Sequence, residues 1–244
     1  MTERPTPPVF TRVLPLLTAA PEHPDLERGY LDLLGGRPEA PSGPIQSFWE
    51  TGFGSTLYDH AQSIARRVAP GWYRLPPRAR PPVGGRVLDI GCGPGNFTAV
   101  LGRQVGPAGL AVGLDVSGPM LARAARTQTS DNVGFIRADA RELPFPDGTF
   151  DLVTSLAALQ LIPAPEDVLA AACRALVPSG WLAVMVPTPH DGLLHVVSRL
   201  SGDRTGLAFF DADDLAEQLD AAGMRTVHTR RTGPVLWISA QRPA

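Results

Sequence analysis

Gly91, Gly93 and Gly95 occupy alternate positions in the run VLDIGCGPGNF, residues 87–97. Glycine reaches left-handed dihedrals without strain and lets backbone approach a ligand closely. The apolar residues before the run read as a buried strand, and Asn96 opens a helix whose first amides lack partners. Asp115 closes a second apolar run, LAVGLD, 20 residues beyond Gly95. That is the spacing at which a carboxylate grips a ribose diol, accepting two hydroxyl hydrogens in charge-assisted bonds. Asp139, in the run RADA, is placed to accept from the exocyclic amine of an adenine, with the Ala140 amide donating to a ring nitrogen. With Asp89, three carboxylates end strands on one edge of a sheet and suit a cationic nucleoside better than a diphosphate. The glycine spacing departs from the Gly-x-Gly-x-x-Gly of dinucleotide sites, and Pro94 removes a donor that a diphosphate would use.

Proton transfer needs a basic side chain near the reacting atom. His190 and His195 lie on a stretch expected to overhang the fifth strand, and His60 lies on an N-terminal stretch with Phe48, Trp49, Phe53 and Tyr58. The expectation is that His190 or His195 deprotonates an acceptor, with His60 a further candidate. Cys92 and Cys173 are too few for a disulfide framework or a structural zinc site, and no metal is expected.

The elements that must position these residues follow from periodicity and punctuation. Residues 1–80 read as an N-terminal helical extension or lid, with a short amphipathic helix over 26–34 stopped by Gly35-Gly36 and helical patterning over 45–68. The proline-rich stretch 69–85 places the domain boundary, and residues 81–244 form one domain. There, strands over 86–90, 110–115, 133–138, 150–156 and 180–186 alternate with helices over 96–101, 119–126 and 165–176. A further helix over 212–222 precedes strands at 225–230 and 234–240. Strand–helix alternation implies a parallel doubly wound α/β sheet, while the last link is too short for a parallel crossover, so the final strand must run antiparallel.

Four runs in order, VLDIGCGPGNFT, VGLDVSGPML, ADARELPFPDGTFDLVTSLAALQLIP and ACRALVPSGWLAV, resemble the class I S-adenosylmethionine-dependent methyltransferases, in particular the small-molecule branch that includes quinone-biosynthesis C-methyltransferases. The resemblance covers about residues 85–241. It implies a Rossmann-like sheet of seven strands ordered 3-2-1-4-5-7-6 with strand seven antiparallel, S-adenosylmethionine as cofactor and S-adenosylhomocysteine as product. It also implies site roles. Gly91, Gly93 and Gly95 cradle the methionine part, with Cys92 in the same loop, and Asp89 orders that loop. Asp115 holds the ribose with Val116 beside the adenine, Asp139 and Ala140 read the adenine edge, and Ser155 and Leu156 touch the methionine part. Tyr58-Asp59 matches an N-terminal Tyr-Asp pair of relatives. One departure stands out: relatives often carry histidine where this chain has Leu161, in the run LQLIP.

The expected reaction is direct in-line methyl transfer to a small molecule. An alternative uses the same pocket for a cyclisation or rearrangement in natural-product biosynthesis. Lys and Arg total 22 against 24 Asp and Glu, for a net charge of −2, which lacks the basic stripe of a nucleic-acid binder. With no secretory signal and no apolar run near the length of a spanning helix, the expectation is a cytoplasmic monomer or homodimer without membrane or nucleic-acid partners.

Overall fold

The computed structural model describes residues 6–35, 74–187, 210–232 and 235–244. Its central strands are apolar runs buried on both faces, as parallel strands covered by helices require. They are β1 (Leu31–Asp32), β2 (Arg86–Ile90), β3 (Leu110–Asp115), β4 (Val133–Arg137), β5 (Phe150–Leu156), β6 (Leu176–Pro187), β7 (Arg225–Thr232) and β8 (Val235–Gln241). The helices are α1 (Pro8–Val13), α2 (Asn96–Val105), α3 (Gly118–Gln128), α4 (Pro165–Ala175) and α5 (Ala212–Ala221).

All eight strands join one sheet in the order β1-β4-β3-β2-β5-β6-β8-β7. With β1 set aside and the count begun at β2, this is the 3-2-1-4-5-7-6 order. β8 runs antiparallel to both β6 and β7, and the other pairs are parallel. Successive strand residues face opposite sides. Leu88, Val112, Ile136 and Val153 pack with α1, α4 and α5, while Val87, Ala111, Phe135 and Leu152 pack with α2 and α3. That is a doubly wound α/β sandwich, and its one departure from the expected seven strands is β1.

The helix expected over residues 26–34 is not formed. Gly29 takes φ +82°, which ends helical geometry. The Asp32 carboxylate instead accepts the amides of Leu34 and Gly35 at 2.9 and 3.0 Å. Leu31 and Asp32 pair with Ile136 and Arg137 on the edge of β4. Burial of Tyr30 and Leu31 outweighs local helix preference, since tertiary packing overrides propensity. Val9, Phe10, Val13 and Leu31 share the core of the strands beyond residue 81, so these early residues add to the sheet rather than packing on their own. β6 starts four residues earlier than the sequence suggests. Pro178 and Ser179 are carried inside the strand, with Ser179 at φ +64°.

Candidate active site

The glycine loop leaves β2 and enters α2. Gly91, Gly93 and Gly95 all have positive φ, at +67°, +51° and +74°. Their surroundings differ. A Cβ on Gly91 would lie 2.2 Å from the Cβ of Ala158, and one on Gly95 would strike Phe135 at 2.5 Å, whereas one on Gly93 would meet nothing within 4 Å. The outer two glycines are demanded by packing. The central one faces open space, the cradle a ligand needs. The turn is tied to β3 by the Gly91 and Cys92 amides, which donate to the Leu114 carbonyl at 2.8 and 3.1 Å.

Asp89 lies beneath this loop, 2% exposed. It accepts the Thr98 hydroxyl of α2 at 2.7 Å and the Thr154 hydroxyl of β5 at 2.8 Å. Asp89 thus joins β2 to the first turn of α2 and to β5, and orders the loop through the helix rather than by bonding loop amides. Burial pushes its carboxyl up to about 6; the two hydroxyls oppose that shift and the charge of Asp115 adds to it. Neither threonine was singled out in the sequence, where nothing marks them as partners of Asp89. Cys92 is buried and its thiol is driven well above the ordinary range, first by burial and then by Asp115 and Asp89, so it is held as a neutral wall group.

Asp115 ends β3 half-buried. Its carboxylate accepts the Gly93 amide at 2.8 Å and the Ser117 amide at 2.9 Å. It therefore braces the central glycine from the neighbouring strand, a role the sequence did not show. Val116 follows, its carbonyl held by Nε of Arg137 at 3.0 Å. Arg137 is buried and pairs with Asp32 of β1 at 3.1 Å, also donating to the Gly35 carbonyl. Asp139 stands beyond β4 beside buried Ala140. Arg141 grips it by Nε and by Nη2, the latter at 2.6 Å, and by its backbone amide at 2.9 Å. That guanidinium holds the Asp139 carboxyl below the usual carboxylate range. Arg141, two residues along, is the partner that sequence reading overlooked.

Ser155 and Leu156 close β5, next to Ile90 and Met185. Ala157 then takes φ +53°, and Ala158 rests on Gly91 before a short 3-10 turn, Leu159–Leu161. Among the described residues, three buried side-chain atoms lack a hydrogen-bond partner: Oγ of Ser117, Oγ of Ser155 and Oε1 of Gln160. All three stand at or just beyond the carboxyl ends of β3 and β5, the edge where doubly wound sheets bind ligands. Buried polar groups are otherwise almost always paired, so this edge is built for a polar molecule. Tyr58, His60, His190 and His195, with the aromatic residues expected to cover the acceptor, lie outside the described residues.

Residues 88–184 match the methyltransferase domain family. A ubiquinone/menaquinone biosynthesis C-methyltransferase of Stutzerimonas stutzeri is 41% identical over 107 residues, covering 42% of this chain and 41% of the relative. The trans-aconitate 2-methyltransferase of Streptomyces avermitilis is 38% identical over 144 residues, covering 57% of this chain and 52% of the relative. The chain thus spans about two fifths to one half of the length of these curated relatives. An S-adenosylmethionine-dependent methyltransferase structure from Thermotoga maritima superposes with a TM-score of 0.63 at 19% identity, over 81% of this chain and 99% of that one. It shares the fold. Residues 88–184, from β2 to β6, thus match a methyltransferase domain, and the described sheet has the fold of an S-adenosylmethionine-dependent methyltransferase.

Proposed function

We propose that the chain transfers the methyl group of S-adenosylmethionine to a small molecule, leaving S-adenosylhomocysteine. The observation that carries this reading is the carboxyl edge of the sheet, along which lie open space above Gly93, the Asp115 carboxylate and the unpartnered Ser117, Ser155 and Gln160 atoms. These groups fit an adenosyl amino acid. Asp115 would hold the ribose diol, Val116 would lie against the adenine with Asp139 and Ala140 at its edge, and the glycine loop would take the amino-acid part. Binding the ribose recruits a carboxylate that now braces Gly93 and Ser117, so loop and ligand are coupled through one side chain.

When bound, the cofactor supplies an electrophilic methyl carbon on a sulfonium. The protein's work is to hold the acceptor in line with it at near-attack distance and to keep water out. Asp89 and Asp115 set negative charge at the strand ends, which favours the cationic donor over its neutral product. Where the acceptor must lose a proton, His190 or His195 receives it, with Tyr58 and His60 on the segment assigned to cover the site. Residues 1–80 are assigned the role of extension and lid. No helix among the described residues is long and apolar enough to cross a membrane. The reading places the enzyme in the cytoplasm as a monomer or homodimer without a nucleic-acid partner, supported by the near-neutral charge.

Calorimetric titration with S-adenosylhomocysteine tests the reading. Wild-type protein should bind it, and Asp115→Ala should weaken binding by at least tenfold. Absence of binding in the wild type, or unchanged affinity in the variant, refutes the assignment. Incubation with S-adenosylmethionine and candidate acceptors, read by mass spectrometry, should show the gain of one methyl group.

A further inference from the structure

Two of the three unpartnered buried atoms, Oγ of Ser155 and Oε1 of Gln160, are not used by the adenosyl contacts above. Gln160 is 8% exposed and Ser155 3%. The Gln160 amide is not free to turn over. Its Nε2 donates to the Ala157 carbonyl at 2.8 Å. A carbonyl only accepts, so the reversed amide would set two oxygens against each other. Oε1 is therefore directed away from Ala157 as a bare acceptor, and the group it lacks must be a donor.

The location narrows that donor. Ala158, between Ser155 and Gln160, is the residue against which Gly91 is packed. The turn carrying Gln160 thus lies over the first glycine of the loop, and Ser155 sits beside Ile90 at the head of that loop. This is the end of the cleft opposite the ribose carboxylate Asp115 and the Val116 wall. A molecule whose ribose is held at Asp115 presents its amino-acid end here. That end carries three N–H donors on an ammonium and a carboxylate that can take a hydroxyl hydrogen. A bare amide oxygen and a serine hydroxyl, both desolvated, complement such a zwitterion, and an amide oxygen paired with a cation makes a stronger bond than a neutral pair.

We infer that Gln160 is a positioning residue whose amide oxygen accepts from the α-ammonium of the bound adenosyl amino acid, with Ser155 satisfying a second polar atom of the same group. The inference rests on the cofactor reading of the preceding subsection. It assigns to this chain a side-chain anchor for the amino-acid end, beside Leu161, where related sequences carry histidine.

The test compares two probes by calorimetry on the full chain: S-adenosylhomocysteine, and 5′-methylthioadenosine, which lacks the amino-acid part. Gln160→Met keeps length and apolar bulk but removes the acceptor. It should weaken S-adenosylhomocysteine binding about tenfold or more and leave methylthioadenosine affinity within about twofold. Ser155→Ala should cause a smaller loss, again confined to the amino-acid-bearing probe, and it serves as the reporter if Gln160→Met does not fold. Equal losses for both probes would mean general damage to the cleft, and unchanged affinity for both would mean that Oε1 serves a water or the methyl acceptor. Either result overturns the inference while leaving the cofactor reading intact, because that reading fails only if the wild type does not bind S-adenosylhomocysteine or binding survives Asp115→Ala.

Discussion

Asp89 shows how one buried carboxylate couples structure to pH. Its carboxyl is raised to about 6 from an ordinary 3.8. Between those values the folded chain binds more protons at this site than the unfolded chain, so stability falls as pH rises through that window and levels off above it. The difference corresponds to about 3 kcal/mol. Chemical unfolding across pH 4 to 7 should therefore show the wild type losing about 2–3 kcal/mol relative to Asp89→Asn as pH rises. A constant difference between the two would show that the carboxylate is not so perturbed. The glycines allow a sharper separation. Gly93→Ala meets no neighbour, so its structural cost is the left-handed backbone alone, about 1–2 kcal/mol. Any ligand above the loop would be pushed away by the added methyl, and the variant should fold yet lose S-adenosylhomocysteine affinity. Gly91→Ala adds a 2.2 Å collision with Ala158 and should cost more stability, measured as a larger drop in Tm.

Between elements, the strongest link that local sequence does not announce is the pair of Arg137 on β4 and Asp32 on β1. Both side chains are about 7% exposed and 3.1 Å apart. The guanidinium also holds the carbonyls of Val116 and Gly35, so docking of β1 sets the wall beside the proposed adenine position. Removing the Asp32 carboxylate takes one partner from a buried guanidinium, a change that costs up to about 3–5 kcal/mol. Asp32→Ala should lower Tm accordingly. Asp32→Leu combined with Arg137→Met should recover much of that loss, since a packed apolar pair needs no compensation. The double variant lacks the bond to Val116, so it should weaken S-adenosylhomocysteine and methylthioadenosine alike, unlike Gln160→Met. At the other edge, β7 is exposed along most of its length and carries Arg225, His228, Arg230 and Arg231. Such charge keeps an open strand edge from pairing with another chain.

At the scale of the molecule, two helical layers bury one sheet, and among the described residues the buried polar atoms without partners stand at its carboxyl edge. A ligand that fills that edge binds only the folded chain and must stabilise it. With S-adenosylhomocysteine at about 100 times its Kd, the gain is about 2.7 kcal/mol, and Tm should rise by roughly 5–10 °C for a chain of this size. A Tm insensitive to the ligand would contradict the cofactor reading. The parallel sheet and the reversed final strand were legible because strands alternating with helices and a link too short for a crossover each leave a local pattern, whereas the strand order was implied only by the resemblance to a known family. The glycine loop and Asp115 were legible because their function depends on spacing along the chain. Local information ended where partners come from far apart. Thr98 and Thr154 meet at Asp89, Asp32 reaches Arg137 from 105 residues away, and residues 26–34 give up a helical pattern to become β1. Asp139, proposed above as an adenine contact, is also gripped by Arg141. By itself the sequence determined the class of fold, the loop and the carboxylate, since residue type and interval suffice for those. The tertiary structure alone decided which polar atoms are paired and which are left waiting, because burial and hydrogen-bond satisfaction exist only once distant segments share the same space.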